Sequence, residues 1–200
     1  MGVAGVSIQN IRILSVPHWL TAHRIDSPVI ISPMQPLEQS DLFLLSAAQG
    51  WLELGNLVEA RAELDQVSAA AQNHPVILEA RWVLCAAEQN WVAALEIART
   101  SLRLEPKNPG AWLNQAYALR RTPDGGLQAA WTALRPALDM FQDEATIPYN
   151  LSCYACQMND LTEARTLLHR AIAVGGREPI KKMALHDADL KPLWDEIQKL

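Results

Sequence analysis

Along most of the chain apolar residues recur three and four positions apart, the spacing that turns one side of a helix toward a core, and polar residues fill the places between. From about residue 41 this pattern comes in pairs, two helical stretches joined by a short turn. The second stretch of a pair recurs as "NLVEARAELDQV", "NWVAALEIARTSL" and "DLTEARTLLHRAI", each with a leucine or tryptophan, two further residues and then alanine. Ala60 and Ala94 are thereby 34 residues apart, and Ala164 lies 70 beyond, two such periods plus two residues. A copy is expected between them, and "GGLQAAWTALRPALDM" supplies it, with Ala130 in register and the two extra residues in the turn "RTPDGG".

Punctuation agrees with this period. Pro75 and Pro109 mark unit boundaries, again 34 apart. Asn56 with Glu59, and Asp160 with Glu163, place a capping side chain three residues before an acidic one at a helix start. Gly55 and Gly175 sit where helices are expected to end. Pro136 falls inside the second helix of the third unit, where its missing N–H and its ring predict a kink.

A 34-residue helix-turn-helix unit resembles the tetratricopeptide repeat family, and "ALEIARTSLRLEPKNPGAW" carries the family's tail almost intact. Trp112 matches an early tryptophan, Trp51 a later aromatic position, and Ala48, Ala116 and Ser152 the small residue of the first helix. Leu64, Leu134 and Leu168 match the large apolar position of the second helix, with Ala137 and Ala171 at the following small one, and Pro106 matches the closing proline. Departures are Trp82 where a small residue is usual, Ala98 where a large one is, and Gln89 in place of glycine. The resemblance implies an all-α, right-handed α-solenoid of four units, 41–74, 75–108, 109–144 and 145–176, with a C-terminal capping helix in 177–200. In that cap Leu190, Leu193, Trp194 and Ile197 share one face, as a helix covering the last unit of an array requires.

Residues 1–40 fit no repeat. Pro17, Pro28, Pro33 and Pro36 argue against a continuous helix there, so an irregular lead-in is expected, with Met34 the natural start and the first 33 residues translated upstream sequence.

Composition narrows the class of function. Half of the 200 residues are apolar, a fifth are charged and the net charge is −5, which disfavours general binding to nucleic acid or anionic lipid. No apolar run is long enough to span a bilayer, and Arg12 interrupts the N-terminal apolar stretch, so no secretory signal is expected. Three cysteines are too few and too sparse for a secreted disulfide framework, which places the chain in the cytoplasm. Phosphate-loop, GxSxG and HExxH motifs are all lacking in the sequence, so neither an enzyme nor a cofactor is expected.

Cys153 and Cys156 have the spacing of a redox dithiol or of half a zinc site. A redox pair uses the positive end of a helix to acidify its thiols, whereas these two fall mid-helix, and a zinc site lacks two further ligands nearby. They are read as small packing or groove-lining residues, with thiol redox or metal chemistry as the alternative.

In the repeat geometry the first helix of each unit lines the concave surface. The resemblance then places Asn114, Tyr117, Arg120 and Arg121 of the third unit and Tyr149 and Asn150 of the fourth on a peptide-binding groove. The asparagines offer a donor and an acceptor to a peptide backbone, the arginines a partner for carboxylates, and the tyrosines contact area. Leu45 and Gln49 stand where the family's clamp for a C-terminal carboxylate has lysine and asparagine, so that ligand is not expected. The chain is thus read as a protein- or peptide-binding adaptor, with a structural subunit joined through its solenoid ends as a further alternative.

Overall fold

A computed structural model describes residues 36–200, and the expectations for residues 1–35, Met34 as a start among them, lie outside the described residues. No strand occurs among the described residues. The helices are α1 (Gln39–Glu53), α2 (Leu57–Asp65), α3 (Pro75–Ala87), α4 (Trp91–Leu104), α5 (Pro109–Leu119), α6 (Leu127–Leu134), α7 (Ala137–Met140), α8 (Thr146–Gln157), α9 (Leu161–Gly175), α10 (Arg177–Ala184) and α11 (Trp194–Ile197). A 3₁₀ helix, Ala188–Leu193, runs directly into α11. Successive helices pack on one another, α1 on α2, α2 on α3, α3 on α4, α4 on α5, α5 on α6 and α8 on α9, so the described residues form an α-solenoid.

The four alanines in register explain how the pairs close. Ala60, Ala94, Ala130 and Ala164 are each fully buried, as are Ala48, Ala116 and Ser152 on the facing first helices. Helices whose contact positions carry only a methyl group approach closely, while flanking Leu64, Leu134 and Leu168, all buried, fill the sides.

Turn chemistry repeats with the same period. Gly55, Gln89 and Asn159 adopt the left-handed conformation, with φ of 74°, 58° and 64°. The next residue caps the following helix: Asn56 Oδ1 accepts from the Glu59 N–H at 3.3 Å, Asn90 Oδ1 from Ala93 at 3.2 Å, and Asp160 Oδ1 from Glu163 at 3.1 Å. The third turn is built differently. A side chain at Gly125 would collide with the Leu119 carbonyl and the Thr122 hydroxyl, so only glycine passes there. Pro75 and Pro109 stand at the first helical positions of α3 and α5, where no N–H is needed.

Two proline effects shape the rest. The second helix of the third pair stops at Leu134 and resumes at Ala137, with Arg135 and Pro136 between. The C-terminal cap is not one helix but α10, the 3₁₀ helix and α11, because Pro192 has no N–H to give and its ring would strike the carbonyl four residues earlier in an α-helix. Leu190, Leu193 and Ile197 nevertheless point one way and are buried, and the Trp194 indole donates to the Ala184 and Asp187 carbonyls at 3.0 and 3.2 Å. Helix α9 continues through Gly175, and the left-handed residue that ends it is Gly176, at φ 83°.

Candidate peptide-binding groove

Four of the six groove candidates sit on two helices, and the other two follow the end of the first. Asn114 and Tyr117 lie one turn apart on α5, Arg120 caps the C-terminal end of α5 with Arg121 after it, and Tyr149 and Asn150 lie on α8. The Asn114 amide donates to Glu79 Oε2 on α3 at 2.9 Å. Burial raises the Glu79 carboxyl above its ordinary pKa, opposed by that hydrogen bond and aided by the charge of Glu105.

Tyr117 is the centre of an aromatic cluster. Trp82 and Trp91 meet it edge-on, with ring centroids 6.0 and 5.9 Å away. The Arg121 guanidinium lies 3.5 Å from the Tyr117 ring centroid and 5.2 Å from that of Trp91. Trp82, bulky where the period wants a small residue, therefore turns its ring toward the next unit. Arg121 donates to the Tyr117 carbonyl at 2.9 Å but forms no ion pair among the described residues, and desolvation lowers its pKa.

The fourth unit is different, because its first helix, α8, carries the chain's own C-terminal segment. Arg120 makes a two-point contact with Asp189, whose second bond, Nη2 to Oδ1, measures 3.1 Å. Tyr149 donates its hydroxyl to Asp187 Oδ2 at 2.9 Å, and the Cys153 Sγ lies 3.5 Å from the same oxygen. The Gln157 amide donates to the Asp189 carbonyl at 2.9 Å. Tyr149, Cys153 and Cys156 are 5, 3 and 4% exposed, under this segment. Asn150 turns its amide back to the Thr146 carbonyl of its own helix at 2.9 Å.

The thiols are accordingly inert in setting. Burial pushes both Cys153 and Cys156 above the ordinary cysteine pKa, with Asp187 and Asp189 adding to the rise, the opposite of the acidification a redox dithiol needs. All three cysteines are free. Asp187 and Asp189 were not among the expected site residues; Asp187 also caps the 3₁₀ helix, its Oδ1 accepting from the Asp189 N–H at 3.0 Å.

No protein-family model matches the chain, and no curated protein matches it. Solved structures do. MamA residues 41 to the end from Desulfovibrio magneticus RS-1 aligns with TM-score 0.60 at 16% identity, over 82% of this chain and 94% of that one. A MamA RS-1 ArsTM double mutant aligns with TM-score 0.58 at 16% identity, over 69% and 77%. Both MamA and Cut9 are tetratricopeptide-repeat proteins, and the APC/C hetero-tetramer Cut9–Hcn1 gives 0.59 at 20% identity over 78% of this chain but 30% of that one. The fold is tetratricopeptide-repeat-like. At these identities the likeness speaks for the fold alone. No helix among the described residues is long and apolar enough to cross a membrane.

Proposed function

We propose that this chain is a non-catalytic adaptor that holds an extended segment of another protein along the inner face of its tetratricopeptide-like stack, in the cytoplasm. Its contact surface is the part of the groove left open by the C-terminal segment: Asn114, Tyr117 and Arg121 on and just beyond α5, joined by Asn150 on α8. Arg120 and Tyr149 act from beneath, by holding that segment in place. The observation that carries this reading is Arg121, a half-exposed cation stacked on Tyr117 and Trp91 with no carboxylate of the described residues paired to it. A pre-ordered guanidinium with donors to spare is suited to a partner's carboxylate or backbone carbonyls, and the rings beside it give contact area at little entropic cost.

The test is affinity capture by wild-type protein and by the triple variant Tyr117→Ala, Arg121→Ala, Asn150→Ala, with circular dichroism to show that both are folded. Partners recovered by the wild type and lost by the folded variant support the groove. Equal recovery by both sinks it.

A further inference from the structure

The first helix of the stack has a face that every later unit covers. Residues 43, 77, 111 and 147 occupy one register position, 34 apart and then 36 across the longer third turn. Ile77, Ala111 and Ile147 are 0, 3 and 0% exposed, whereas Phe43 is 66% exposed. One turn-pair further on, Leu84, Ala118 and Tyr154 are buried, while their counterpart Gly50 is half-exposed, with open space where a side chain would be. Between them, Arg81 on α3 donates to the Leu64 carbonyl of α2 at 2.7 Å, and its counterpart on α1 is Ala47. This face therefore docks on the second helix of the preceding pair in units two to four. Before α1 no such helix stands among the described residues.

The chemistry of the face points to one occupant. From Leu42 to Leu52, "LFLLSAAQGWL", there is no charged residue in a chain that is one-fifth charged. Neighbouring Asp41 is buried, with its two oxygens bonded to the Ser68 N–H and hydroxyl at 2.8 and 2.7 Å. The opposite end of the stack offers no match, since its apolar side chains are turned inward and it shows Lys191, Asp195, Glu196 and Lys199 to solvent. Stacking first end on last end would strip water from those charges without replacing it.

A second copy of the same face does match. In an antiparallel helix pair related by a two-fold axis, residues equally far to either side of the axis meet each other. With the axis at the Ser46–Ala47 peptide, Phe43 of each copy meets Gly50 of the other, and exposed Leu54 lies over Gln39. The large side chain and the empty space sit seven residues apart on one side of the helix, so the surface is its own complement. We propose that the protein is a two-fold dimer formed through α1, with Phe43 of each copy seated over Gly50 of the other.

Light scattering on the full chain after size-exclusion chromatography, over about a hundredfold range of concentration, tests this. The expected mass is twice the 22.2 kDa of one chain. Phe43→Glu halves it with an unchanged circular dichroism spectrum, and Val92→Glu, at an exposed valine on α4, leaves it alone. Ser46→Cys, beside the axis, gives a disulfide-linked dimer on mild oxidation. A single-chain mass at every concentration, or a dimer that survives Phe43→Glu, overturns the proposal.

Discussion

Arg120 at the end of α5 and Asp189 in the C-terminal segment, 69 residues apart in the chain, grip each other through the Nη1 and Nη2 of the guanidinium and both carboxylate oxygens. The side chains are 21 and 27% exposed, so the pair is neither a surface ion pair nor a fully buried one. Removing one partner is expected to cost about 1–2 kcal/mol, between the values typical of those two cases. Arg120→Ala and Asp189→Ala should each lower the urea midpoint, and the double variant should cost less than the sum of the two. Additive losses would show that the pair is not coupled.

Ser152 stands where Ala48 and Ala116 stand in earlier units, fully buried, with its hydroxyl making no hydrogen bond. A buried hydroxyl without a partner is a desolvation cost that alanine does not carry. Ser152→Ala is expected to stabilise by about 1 kcal/mol, raising Tm by about 2–4 °C for a chain of this size. Calorimetry showing a lower Tm would mean that the hydroxyl has a partner in solution.

Periodicity made the stack legible because close helix contact needs small side chains at fixed spacing, and Ala60, Ala94, Ala130 and Ala164 repeat that need in four places. Even Trp82 did not hide the period, since its ring found space against Tyr117 on the next pair. The cover over α8 in the fourth unit was not legible in the same way. The grip of Tyr149 and Arg120 on Asp187 and Asp189 joins residues 38 and 69 positions apart, and two aspartates around an alanine carry no local pattern that foretells it. Leu190, Leu193 and Ile197 announced an apolar face, but Pro192 changed the helix that carries it, and with it the path of the segment across α8.

Cys153 and Cys156 are expected to behave as buried packing residues. With a chromogenic disulfide reagent the native protein should react slowly at both, and three equivalents should be released at once in denaturant, one for each free cysteine. Asp187→Ala removes the acceptor beside the Cys153 sulfur and part of the cover above it, so labelling of Cys153 should speed up. Fast stoichiometric reaction of the native wild type would revive a reactive pair.

Glu79 supplies a pH signature for the contact between α3 and α5. Burial raises its carboxyl pKa in the folded protein, so between the unfolded and the folded value the native state holds more protons than the unfolded one. Stability then falls as pH rises through that window, and above it the ionised carboxylate is a standing cost. Glu79→Gln keeps an oxygen to accept from the Asn114 amide and removes the charge. The variant is expected to be more stable than wild type at pH 7, with the difference shrinking on acidification and gone below the ordinary carboxylate pKa of about 4.3. Because every other carboxylate is common to both proteins, the difference between their two stability curves isolates this one group. Parallel curves at constant separation would show that Glu79 titrates normally, and that its bond to Asn114 does not lie in a dry setting between α3 and α5.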